Sequence, residues 1–74
     1  MNTSDYFRAK EIIVTDISNL SKKEINTAMQ EASRIFHSTT VGTYFHTHTP
    51  EEREVLIALH TFKAKCLIAL KYKP

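Results

Sequence analysis

Residues 49–71 read TPEEREVLIALHTFKAKCLIALK, a stretch with helix signals at both ends and apolar residues on two sides. Thr49 suits the cap, Pro50 the first helical position, and Glu52 completes a capping box by reaching back to the cap's own N–H. Glu51, Glu52 and Glu54 suit the positive end of the helix dipole, and Lys71 and Lys73 the negative end. At about 100° per residue, one stripe comprises Val55, Ala58, Leu59, Phe62, Cys66, Ala69 and Leu70, with Leu56 and Leu67 on its flank. Ile57, Ala64 and Ile68 point nearly the other way, with His60 and Thr61 beside them. A 74-residue chain has one core to offer, and a domain of this size buries only about 60% of its unfolded surface. One stripe serves that core. The second needs a covering, and the expected covering is another protein chain.

No disulfide can hold so small a domain together from within, because the chain has a single cysteine. Helix packing or self-association must take that role. The opening MNTSDYFRAK has no apolar segment of the secretory kind, and no apolar run reaches the roughly 18 residues of a membrane span. The expectation is therefore one soluble cytoplasmic domain over 1–74 with no membrane role. Ten Lys+Arg against eight Asp+Glu leave a net charge of +2, too small and too mixed to imply nucleic acid by itself. The 42% of hydrophobic residues recur periodically, unlike those of a disordered chain, and one glycine leaves little material for the tight turns of an all-β fold.

A second helix is announced by Leu20-Ser21-Lys22-Lys23-Glu24-Ile25. Ser21 and Glu24 form a capping box, and Leu20 and Ile25 flank it as a hydrophobic staple. Ile25, Ala28, Met29, Ala32, Ile35 and Phe36 then fall at helical spacing on one side, and Gly42 is the natural stop. The first segment is ambiguous. Tyr6, Ala9, Ile13, Ile17 and Leu20 fit a helix capped near Ser4, but Glu11-Ile12-Ile13-Val14-Thr15 is a β-branched run that also suits a strand. Helix is favoured, because a lone strand has no partner in so short a chain. The spacing predicts helices over 4–18, 22–41 and 50–72 with a loop through 48. That is an all-α fold, a small three-helix bundle or a long helical hairpin with an N-terminal helical arm.

Few residues suggest chemistry. His46-Thr47-His48, with His37 upstream and His60 downstream, has the alternation that serves a metal in extended chain. A third ligand is missing: Glu51 and Glu52 are committed to a helix start, and Cys66 projects about 120° away from His60. Cys66 sits in the middle of the main stripe and reads as buried packing. Arg34 and His37 share a helix neighbourhood as ordinary solvated residues. There is no glycine-rich phosphate loop and no nucleophile elbow. The expectation is no enzyme, no metal and no cofactor.

The leading functional expectation is a helical protein-binding module, an adaptor, regulator or inhibitor acting through self-association and contacts with another protein. Its surface is assigned to Ile57, His60, Thr61, Ala64 and Ile68, with Tyr44 and Phe45 as loop anchors, one of the two packed under the end of the bundle. The alternative is a nucleic-acid-binding regulator with a degenerate helix-turn-helix over residues 32–46. It would present Arg34, Ser38, Thr39, Thr43 and His46 to a groove.

Overall fold

A computed structural model describes residues 1–73. Three helices run α1 Thr3–Ile13, α2 Lys22–Thr40 and α3 Pro50–Tyr72, with short 3-10 turns at Ile17–Asn19 and Phe45–Thr47. No strand occurs among the described residues. The fold is a three-helix bundle, and α1 belongs to it as a packed helix.

The starts of α2 and α3 follow from their capping boxes. Glu24 N–H donates to Ser21 Oγ and Ser21 N–H donates back to Glu24 Oε1, at 3.1 and 3.0 Å. Thr49 and Glu52 repeat the arrangement, both bonds at 3.1 Å. Each pair satisfies two backbone donors that a helix start otherwise leaves to water. At the other end of α2, Val41 is the C-cap and Gly42 takes φ 73°. That left-handed conformation is unfavourable for a residue with a Cβ, and it turns the chain out of the helical path.

The first helix corrects the expectation at both ends. Its cap is Asn2, whose side-chain oxygen accepts from Asp5 N–H at 2.7 Å, and not Ser4. It ends at Ile13, short of residue 18. Beyond it, Thr15 Oγ1 donates back to the Glu11 carbonyl, and Asp16 accepts from both the N–H and the hydroxyl of Ser18. This local Asp-x-Ser turn competes with the helix for the same backbone groups and wins.

The helices alternate in direction. Arg8 pairs with Glu31 and Asp5 with Arg34, so α1 runs antiparallel to α2. The Phe36 and His60 rings lie 5.8 Å apart, and Glu24 feels the charge of Lys73, so α3 returns antiparallel to α2. The Met1 amino group lies 3.0 Å from Glu52 Oε2, which places the start of α1 beside the start of α3.

The core joins Ala9 and Ile12 of α1, Ile25, Ala32 and Ile35 of α2, and Val55, Leu59, Phe62 and Cys66 of α3. Cys66 is fully buried, and burial pushes its thiol pKa up. The α3 flank divides: Leu56 is fully buried, whereas Leu67 is 51% exposed and does not share the main stripe's burial.

The two parallel helices α1 and α3 differ in reach. The 11 residues of α1 and the 23 of α3 correspond to about 16 and 34 Å of helix. Starting level with α3, α1 reaches only as far as the groove where Ile13 and Val14 meet Ala58, Thr61, Phe62 and Lys65. The last turns of α3 have α2 on one side and no helix along the other.

Candidate interaction surface

The outer face of α3 is apolar and open. Ile57 is 57% exposed and Ile68 60%, and Thr61 and Ala64 between them are exposed as well. Eleven residues bring a helix back to within about 20° of its starting direction, so the two isoleucines stand almost in line. Leu67 and Tyr72 extend the apolar surface toward the end of the helix. Neither was assigned to it from the sequence; for Tyr72, in line with the α1-facing Glu54, the signal available was the short reach of α1, visible only once the Asp16–Ser18 turn is read as a helix stop.

His60 and Thr61 mark the two edges of this face. The His60 ring leans toward Phe36 of α2. Thr61 borders the groove between α1 and α3, whose apolar members are Ile13, Val14, Ala58 and Phe62. A second groove continues along the same two helices, between Tyr6, Lys10 and Ile13 on one side and Glu51, Glu54, Val55 and Ala58 on the other.

Charge along α3 is sharply divided. Residues 51–54 hold three glutamates and one arginine, whereas residues 63–73 hold four lysines and no acid. None of those lysines makes an ion pair among the described residues, where the pairs use Arg8, Arg34 and the Met1 amino group. The Lys71 ammonium lies 5.5 Å from the centre of the Tyr72 ring, within cation–π range. Glu52 is held at about 2, first by the Thr49 N–H it accepts from and then by the Met1 ammonium.

The loop before α3 differs from the expectation. Tyr44 and Phe45 are both exposed, at 73% and 47%, so neither packs under the end of the bundle. Tyr44 instead stacks on His46 with ring centres 5.6 Å apart. His48 Nε2 lies 3.2 Å from Thr43 Oγ1. No three metal-binding side chains converge among the described residues.

The helix-turn-helix over 32–46 is also corrected. Residues 32–40 are the last turns of α2, and 41–44 form turn and extended chain before the 3-10 turn at Phe45–Thr47. Gly42 breaks the helix instead of sitting within a second one, so no recognition helix exists. Thr39 is buried, Arg34 pairs with Asp5, and the Ser38 hydroxyl donates to the Ile35 carbonyl. The Thr43 hydroxyl bonds the Thr39 carbonyl, and His46 is occupied by Tyr44. Arg34, Ser38, Thr43 and His46 remain exposed, but no second helix aligns them for a groove.

The fold and its exposed face define a class, a small all-α bundle with an apolar helix face left uncovered. Comparison with known protein families, with curated proteins and with solved structures gave no match.

Proposed function

We propose that this chain works by binding, as a helical module that docks on protein through the outer face of α3 and so serves as an adaptor, regulator or inhibitor. The observation that carries this reading is the exposure of Ile57 and Ile68 on a helix whose opposite side already closes the core. Full burial of one aliphatic side chain contributes about 1.5–3 kcal/mol. More than half of each isoleucine's surface forgoes that gain. A row of such residues, unlike a single exposed leucine, marks a contact surface. No described helix is long and apolar enough to cross a membrane. A lone buried thiol suits a reducing compartment, which supports a cytoplasmic setting.

The test is site-specific photo-crosslinking in cells. A benzophenone side chain at position 57 should give a covalent adduct with protein. The same group at Gln30, exposed on α2, should give none. Adding Ile68→Glu should remove the adduct at 57. Equal labelling from both positions, or none from 57, would overturn the proposal.

A further inference from the structure

We propose that the occupant of the α3 face is a second copy of this chain, its α3 lying antiparallel to the first about a two-fold axis between Thr61 and Ala64. This rests on the outer face being a docking surface. The first argument is spacing. Ile57, Thr61, Ala64 and Ile68 are separated by four, three and four residues. That sequence of intervals reads the same in both directions. A two-fold interface sets a patch against itself, so it requires a patch that is its own reverse. Antiparallel pairing puts Ile57 of one copy against Ile68 of the other and Thr61 against Ala64. A foreign helix would place no such demand on the spacing.

The second argument is size. Large residues stand at the two ends of the row and small ones at its middle, where the helices would cross. Small residues at a crossing let helix axes approach toward the lower end of the usual 8–10 Å. The third is charge, which selects the direction. Parallel pairing would lay the lysine-rich half, residues 63–73, against its own copy. Antiparallel pairing in this register instead sets Lys71 and Lys73 opposite Glu54 and Glu52, leaves Lys63 and Lys65 opposite Phe62 and His60, and opposes the helix dipoles. A contact limited to one helix pair of this length falls below about 1,200 Å², which places the dimer in the weak, reversible class.

Two measurements test this. Sedimentation equilibrium on the unaltered chain should show a mass rising from 8.5 kDa toward twice that value as concentration increases. A mass that stays monomeric up to about 1 mM, where even weak complexes form, would overturn the proposal. If position 57 still crosslinks to a different protein, the docking surface stands and the second copy falls. If it crosslinks to nothing, both fall.

Direction is read from Ile57→Cys and Ile68→Cys, made separately at exposed positions with the buried Cys66 left in place. An equal mixture under mild oxidation should yield disulfide dimers holding one chain of each kind. Either variant alone should stay unlinked, because antiparallel copies hold identical positions about 16 Å apart, beyond disulfide reach. Self-linking of Ile57→Cys as efficient as linking in the mixture would show a parallel pair and overturn the antiparallel arrangement.

Discussion

Arg8 on α1 and Glu31 on α2 meet through two parallel hydrogen bonds, Nε to Oε2 at 2.7 Å and Nη2 to Oε1 at 2.8 Å. This fork joins the shortest helix to its neighbour. The Arg8 side chain is half exposed, so solvent screens the pair. A double-mutant cycle with Arg8→Ala and Glu31→Ala, read by urea unfolding, should give a coupling of about 0.2–1 kcal/mol. Two-pronged geometry favours the upper part of that range. A coupling indistinguishable from zero at low salt would mean that the fork does not hold α1 in place.

The capping boxes should be worth more than the ion pair. Ser21→Ala and Thr49→Ala should each lower stability by about 0.5–2 kcal/mol, measured by thermal or urea unfolding. Unchanged midpoints in both would place the starts of α2 and α3 elsewhere.

Acid should weaken the fold through the same residues. The Glu52 pKa falls from 4.5 to about 2, chiefly because its carboxylate accepts the Thr49 N–H. Ser21 lowers Glu24 and Arg8 lowers Glu31 in the same direction. A carboxylate whose folded pKa lies below its unfolded value stabilises fully above the unfolded value and loses that contribution as pH falls through the folded one. For Glu52 the window runs from 4.5 down to about 2. The melting temperature of the unaltered protein should fall across it more steeply than that of Glu52→Gln. Superimposable curves would show that the carboxylate is not engaged.

Cys66 should behave as a core residue. A thiol reagent should modify it slowly in the native protein and rapidly in denaturant, because it is fully buried and its thiolate is disfavoured. Cys66→Ala should cost on the order of 1 kcal/mol, at the small end of cavity-forming changes. Fast native labelling would place the core stripe of α3 wrongly.

The helices that were legible in the sequence are those whose starts carry two agreeing signals. Ser21 with Glu24 and Thr49 with Glu52 gave the starts of α2 and α3 to the residue, and periodic apolar residues gave their buried sides. The first helix lacked such a box. Apolar spacing through Ile17 and Leu20 suggested a longer helix, yet those residues reach the core from a 3-10 turn and its exit. Periodicity cannot distinguish the two, since both deliver side chains to the same side. The loop failed for a related reason. Adjacent aromatics suggested one anchor, but Tyr44 found its partner in His46, two residues away, and Phe45 stays about half exposed. The opposed direction of Ile57 and Ile68 was visible from helical geometry alone. Their exposure depended on which side of α3 the first helix packs against, the side of Glu54, Ala58 and Lys65, and periodicity alone does not give that.

The most direct measurement is on Ile57→Lys/Ile68→Lys, comparing helicity, stability and solution mass with those of the unaltered chain. Exposed positions away from the core tolerate polar replacement within about 0.5 kcal/mol. The far-UV helical signal and the unfolding midpoint should therefore stay the same, while concentration-dependent association disappears. A variant that unfolds would show the row to be part of the monomer's core. One that folds and still associates would show that contact is made elsewhere. Either result would contradict the assignment of the outer face of α3 as the working surface of this protein.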